Sequence, residues 1–100
     1  MKEEILNFIT MEDILNKYNI ANRHSMFSCP FHADKTPSAK AYKNTFYCFS
    51  CNRHGDIIQF IQYYFNLSFR QAMQKINEDF NLGLNINEKI DYSKIEEIKR

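Results

Sequence analysis

Two short motifs decide the fold, Cys29-Pro-Phe-His32 and Cys48-Phe-Ser-Cys51, which fifteen residues separate. In each motif two metal-binding side chains stand three positions apart, so a tight turn can direct both at one ion. Zinc binds Cys sulfur and His nitrogen as four ligands in a tetrahedron. The spacing therefore predicts one zinc ion bound by Cys29, His32, Cys48 and Cys51. Because four protein ligands leave no open position, we expect a structural ion and no catalytic residue.

Other interpretations of the three cysteines are ordinary buried thiols or a redox dithiol at Cys48 and Cys51. A thioredoxin-type dithiol belongs to a βαβ unit, which the pattern lacks, and an odd number of cysteines argues against a disulfide framework. His54 could compete with His32 for the metal. The favoured interpretation of His54 and His24 is nevertheless that of solvated loop residues.

Working outward, the helical period of hydrophobic residues disappears between residues 26 and 51. Two short, partly aromatic stretches at 38–42 and 45–49 predict a β-hairpin that turns at Lys43-Asn44. Alternation along the second strand places Tyr47 and Phe49 on the face opposite Phe46 and Cys48. We expect Tyr42 and Tyr47 to point outward, because a phenol tolerates water better than a benzyl ring.

Helical periodicity returns on both sides of this region and predicts flanking helices over 5–18 and 56–80, with the polar stretch 19–25 as a loop. Three pairs of residues have the spacing of a helix-initiating capping box. These pairs are Thr10 with Asp13, Asp56 with Gln59, and Ser68 with Gln71. The fold class expected is α+β: a small zinc ribbon with an antiparallel sheet, flanked by helices on both sides in sequence.

The domain is expected to span 1–84, with its ribbon core at 26–54, and residues 85–100 to form a charged linker or tail. No apolar run is long enough to cross a bilayer, and the first residues lack the apolar core of a secretory signal. We therefore expect a cytoplasmic chain with no membrane partner.

Positive charge is concentrated around the cysteines. Residues 23–54 contain five Lys or Arg and one Asp, whereas the flanking regions carry a small excess of acids. Even after three thiolates bind a zinc ion, this segment keeps an excess of positive charge. Such a distribution favours a polyanionic partner.

Several ordered stretches carry a family resemblance. They are Cys29-Pro-Phe-His32-Ala-Asp-Lys35-Thr-Pro-Ser38, Phe46-Tyr-Cys48-Phe-Ser-Cys51, Gly55-Asp-Ile-Ile-Gln-Phe60 and Leu67-Ser-Phe-Arg-Gln-Ala72. Over roughly residues 5–84 the sequence resembles the zinc-binding domain of DnaG-type bacterial and phage primases. The resemblance implies a ribbon that engages single-stranded template DNA and helps select where primers begin. It also implies a separate catalytic domain, in cis or in trans, and a replicative helicase as a further candidate partner.

Single-stranded DNA is bound by cations that follow the phosphates and by aromatic rings that stack on bases. The ribbon supplies both kinds of side chain. The candidate DNA contacts are Lys35, Lys40, Tyr42, Lys43, Tyr47 and Arg53.

The sequence departs from the primase pattern in two ways. The segment between His32 and Cys48 is slightly shorter than in typical members, and residues 85–100 contain no carboxylate cluster that could hold a catalytic metal pair. We therefore expect no primer synthesis from this chain alone. The alternative function is a stand-alone primase-like accessory or regulatory protein of a phage or mobile element, which docks replication proteins.

Overall fold

The computed structural model describes residues 2–31 and 37–86, so His32, Lys35 and the predicted tail beyond residue 86 lie outside the described residues. The described residues form four helices and five strands. In chain order they are α1 (Lys2–Phe8), α2 (Met11–Lys17), β1 (Asn22–Arg23), β2 (Met26–Phe27), β3 (Ala39–Ala41), β4 (Thr45–Cys48), β5 (His54–Asp56), α3 (Ile57–Phe65) and α4 (Phe69–Asp79). The predicted α+β class with an antiparallel sheet is confirmed.

Helices α2, α3 and α4 each begin at a capping box, as the sequence predicts. At the start of α2, the Thr10 backbone N–H donates to the Asp13 carboxylate at 2.8 Å and the Asp13 N–H donates to the Thr10 hydroxyl at 3.2 Å. Each box satisfies backbone donors that have no partner within the helix. Asn66, in the left-handed conformation, ends α3.

The five strands form an antiparallel meander in the order β1 to β5. The predicted β3–β4 hairpin is present, with Ala39 opposite Cys48 and Ala41 opposite Phe46. The prediction that 19–25 is a loop is wrong for β1, which pairs with β2 through the two-residue turn His24-Ser25. Both turn residues have positive φ, which matches the twist of a tight hairpin. Neither residue is the usual Asn or Gly, so the sequence carries no turn signal here.

The hydrophobic core lies between one face of the sheet and the helices. Phe27 and Phe46 point inward from the sheet and are 1% exposed. Phe60 of α3 contacts both rings, at centroid distances of 6.1 and 5.1 Å. Burial of each such side chain contributes about 1.5–3 kcal/mol of hydrophobic free energy. The core extends to Ile86, two residues past the predicted domain boundary at 84, and Ile86 is 8% exposed.

Among the described residues, the helices pack against one face of the sheet, and strand side chains alternate between this face and the opposite one. Phe46 and Cys48 of β4 are buried, whereas Tyr47 between them is half-exposed. The prediction that Tyr42 and Tyr47 point outward is confirmed, with Tyr42 46% exposed. Within residues 2–31 and 37–86, one sheet face is thus open to solvent, and we call it the outer face.

Candidate metal centre and outer sheet face

Three cysteine sulfurs converge at one end of the sheet. Cys29 lies between β2 and β3, Cys48 ends β4, and Cys51 lies in the turn before β5. Their Sγ atoms all lie within 4.8 Å of one another, and Cys29 and Cys51 are 4.0 Å apart. Tetrahedral bonds of about 2.3 Å to zinc place two sulfurs about 3.8 Å apart. The donor set and its spacing therefore fit a single zinc ion.

Backbone hydrogen bonds hold the cysteine turns in place. The Cys48 carbonyl accepts from the Asn52 N–H at 2.8 Å, and the Cys48 N–H donates to the Arg53 carbonyl at 2.8 Å. The Phe31 N–H donates to the Cys29 sulfur. An amide that donates to a sulfur stabilises its thiolate form, which is the form that binds a metal. The turns therefore present sulfurs already oriented for coordination.

Burial raises the pKa of the Cys29 thiol to about 12; the Phe31 amide partly opposes this shift, and the neighbouring Cys48 and Cys51 thiols add to it. Without a cation, this thiol is therefore protonated at neutral pH. A bound dication shifts the equilibrium of Cys29 from thiol to thiolate, because the positive charge stabilises the thiolate directly. Zinc binding must displace this proton.

The three histidines differ in their position relative to the cysteine cluster. His32 lies outside the described residues, and the metal-binding cluster found among the described residues contains Cys29, Cys48 and Cys51. His54 is not a member of that cluster. The expectation of a loop is wrong for His54, which begins β5 and is exposed, with Nδ1 3.0 Å from the Asn52 carbonyl. His24 is an exposed residue of the β1–β2 turn, as expected.

One cross-strand row of the outer face combines cationic and aromatic side chains. Paired positions on the five strands bring these residues into register. The row runs Arg23, Met26, Lys40, Tyr47, His54. The Tyr47 and His54 rings are stacked at 5.7 Å and 18°, and the Phe49 ring lies 5.0 Å from Tyr47. Each ring in this row is reachable from solvent.

Beside this row is a shallow, mostly apolar groove of about 480 Å³. It is lined by Tyr42, Thr45, Phe46, Tyr47, Phe49, His54 and Gly55. The Lys40 ammonium lies 5.3 Å from the centre of the Tyr42 ring. Cationic and aromatic groups thus border one open surface, which can contact a flat, negatively charged ligand.

The structure separates the residues predicted to contact DNA. Lys40, Tyr42 and Tyr47 share the outer face, whereas Lys43 is exposed in the β3–β4 turn. Arg53 does not join them, because its guanidinium lies over the rings of Phe31 and Tyr63 beside α3. Phe49 lies on the same face as Tyr47, as predicted, whereas the sequence does not indicate Arg23 and His54 as members of the outer face. Alternation from Tyr47 indicates Phe49, but β1 and β5 are too short to show alternation.

Residues 1–92 match the family model described as the CHC2 zinc finger of the DnaG zinc ribbon. The chain belongs to this zinc ribbon family. One structural zinc is its cofactor, in agreement with the three converging sulfurs. The resemblance to DnaG-type primases drawn from the motifs is confirmed.

Relatives of this zinc ribbon are much longer proteins. The DNA primase of Lactococcus lactis is 33% identical over 92 residues, which cover 78% of the chain and 14% of the relative. The DNA primase of Helicobacter pylori strain J99 is 28% identical over 95 residues, covering 90% of the chain and 17% of the relative. The chain thus spans less than a fifth of either relative.

A solved structure has the same fold. The crystal structure of the Aquifex aeolicus primase, described as its zinc binding and RNA polymerase domains, aligns with a TM-score of 0.65 at 29% identity. The match covers 94% of this chain and 23% of that one. Within the part of the chain that the structure describes, no helix combines the length and hydrophobicity needed to cross a bilayer.

Proposed function

We propose that this zinc ribbon is the module of a DNA primase that binds single-stranded template DNA and supports the start of RNA primers. The single observation that carries the proposal is the outer face, where cationic and aromatic side chains lie in one cross-strand row on a sheet anchored by the metal centre. In this proposal Cys29, Cys48 and Cys51 hold the zinc, and His32 completes the four ligands.

The outer face has the chemistry that single strands require. The ring faces of Tyr47, His54 and Tyr42 can stack on unpaired bases, and each stacked base contributes about 1–3 kcal/mol. Arg23 and Lys40 stand in the same row and can neutralise phosphates. Because every base has a flat face, this binding tolerates many sequences.

The charge distribution supports the same ligand. The segment 23–54 carries five basic residues and one acid, and the outer face lies within it. Lys35 and Lys43 belong to this basic segment and are proposed as further phosphate contacts. Positive potential on an exposed face raises the rate of encounter with a polyanion and makes the affinity depend on salt.

The partners proposed follow from the family. The relatives carry the name DNA primase, and the Aquifex aeolicus structure contains an RNA polymerase domain beside its zinc binding domain. We therefore propose a primase catalytic domain, in cis or in trans, as a partner of this zinc ribbon, and a replicative helicase as a further partner. This role would locate the chain in the cytoplasm with its template.

Fluorescence anisotropy tests DNA binding directly. The zinc-loaded chain is titrated into a labelled single strand of about 12 nucleotides, a length within the usual site size of small binding folds. Binding should weaken steadily from about 50 to about 200 mM salt. A duplex of the same sequence is the control and should bind less well, because its bases are not available for stacking. Absence of binding at low salt, or an affinity that salt does not change, would contradict the proposal.

A second candidate function is the accessory protein that docks replication proteins. The observation in its favour is exposed aromatic surface on the helices, with Phe8 60% and Phe69 41% exposed. Under this alternative, Phe8→Ala and Phe69→Ala should weaken capture of a purified helicase or primase catalytic domain and leave DNA affinity unchanged. If the chain captures such a protein and does not bind single strands, the accessory function is the better description.

A further inference from the structure

Arg53 contacts both cysteine-bearing segments of the metal centre. Its carbonyl accepts from the Cys48 N–H at 2.8 Å and so closes the turn that carries Cys48 and Cys51. Its guanidinium reaches in the other direction and lies 5.3 Å from the centre of the Phe31 ring, in the segment that carries Cys29. One residue thus bridges two segments that are distant in sequence and that the metal also joins.

Phe31 transmits this contact to the metal ligands. Its backbone N–H donates to the Cys29 sulfur, and in the sequence it directly precedes His32. Its ring packs edge-to-face against Phe60 at 5.2 Å and Tyr63 at 5.5 Å. Packing that restrains Phe31 therefore also restrains the residue whose backbone amide contacts the Cys29 sulfur.

The Arg53 guanidinium lies over the ring of Phe31, which is half-buried. It also lies 4.7 Å from the centre of the Tyr63 ring, so it covers two aromatic faces at once. A planar cation over two rings is a favourable arrangement that a lysine reproduces only in part.

We infer that Arg53 is a positioning residue of the zinc centre, which aligns the Cys29 segment with the Cys48–Cys51 turn, and not a contact to DNA phosphate. Outer contacts that orient metal ligands commonly change metal affinity by about 10–100-fold when they are removed. The inference rests on zinc at the cysteine cluster and is independent of whether the outer face binds DNA.

Metal competition tests this role. Arg53→Met keeps most of the aliphatic length of the side chain and removes the charged, planar guanidinium group. The matched control Arg23→Met removes an arginine from the outer face. Zinc affinity is measured against a chromophoric chelator, and the cobalt(II) form is followed through its ligand-field absorption. Arg53→Met should lower zinc affinity by about three- to tenfold and alter the cobalt spectrum. Arg23→Met should change neither, and Arg53→Lys should restore part of the loss.

The test separates positioning from general stability and from DNA contact. If Arg53→Met keeps zinc affinity within about twofold of the parent, or if Arg23→Met lowers it equally, the inference is overturned. If Arg53→Met fails to fold, Tyr63→Leu removes one of the two rings under the guanidinium without changing the cysteine segments. Tyr63→Leu should also lower zinc affinity, and an unchanged zinc affinity in this variant would overturn the inference.

Discussion

The rings of Tyr47 and His54 lie on neighbouring strands with centroids 5.7 Å apart and planes 18° from parallel. The Tyr47 hydroxyl donates to the Asn52 side chain at 3.0 Å, and His54 Nδ1 lies 3.0 Å from the Asn52 carbonyl. Both rings are therefore held by the turn that follows Cys48. Rings that are already ordered lose little conformational freedom when a base stacks on them. The metal centre and the proposed DNA surface are thus physically connected through this turn.

Replacement of Tyr47 by alanine should weaken binding to single-stranded DNA by about 1–3 kcal/mol, because one stacking face is lost. Tyr47→Phe should retain most of the affinity, since it keeps the ring and removes only the hydrogen bond to Asn52. Anisotropy titrations at one salt concentration measure both variants. Phe8→Ala, which removes an exposed ring from α1, is the control and should bind like the parent. Equal losses in Tyr47→Ala and Phe8→Ala would contradict a stacking role for Tyr47.

Lys40→Gln should reduce the salt dependence of DNA binding. A lysine that neutralises one phosphate of a single strand contributes about 0.7 to the slope of log affinity against log salt. The slope of the variant is obtained from titrations at several salt concentrations and compared with the parent slope. Lys17→Gln on α2 removes the same charge from the helical side and should leave the slope unchanged. An unchanged slope in Lys40→Gln would exclude Lys40 as a phosphate contact.

Gly55→Ala should destabilise the fold by about 1–2 kcal/mol through the cap of α3. A Cβ at Gly55 would lie 2.4 Å from the Gln59 Oε1 atom, which accepts from the Asp56 N–H at 3.1 Å. The Gln59 side chain must therefore leave the capping box. Thermal or urea unfolding measures the loss. In a Gln59→Ala background the loss should be smaller but not absent, because the contact of 2.9 Å with the Cβ of residue 59 remains. An equal loss there would refute this mechanism.

Zinc affinity should rise with pH. Burial raises the pKa of Cys29 to about 12, so this thiol is protonated throughout the neutral range and must release its proton when zinc binds. A binding reaction that releases one proton becomes about tenfold tighter per pH unit. Chelator competition between about pH 6 and 8 should therefore give a slope of at least about one. An affinity independent of pH would show that the Cys29 thiolate does not bind the metal.

The parts of the fold that could be predicted from the sequence have local causes. The capping box at Ser68 and Gln71 and the break at Asn66 depend on backbone chemistry within a few residues. The β3–β4 hairpin and the convergence of the cysteines follow from the spacing of the two motifs. Helical periodicity likewise indicated the core residue Phe60.

The parts that could not be predicted depend on contacts across the sheet. Strands β1, β2 and β5 have two or three residues each, which is too short for an alternating pattern to show. β2 and β5 pair with the two edges of the β3–β4 hairpin, and β1 pairs in turn with β2. Charge alone groups Arg53 with Lys40, whereas in the fold the Arg53 side chain lies over Tyr63 of α3, on the helical side.

Zinc K-edge X-ray absorption on the zinc-loaded chain tests the central claim most directly, because it identifies the ligands themselves. The account predicts one zinc per chain with three sulfurs at about 2.3 Å and one nitrogen at about 2.0–2.1 Å. His32→Ala should remove the nitrogen contribution, and His54→Ala should leave the spectrum unchanged. Fewer than three sulfur ligands, or a nitrogen contribution that His54→Ala removes and His32→Ala does not, would contradict it.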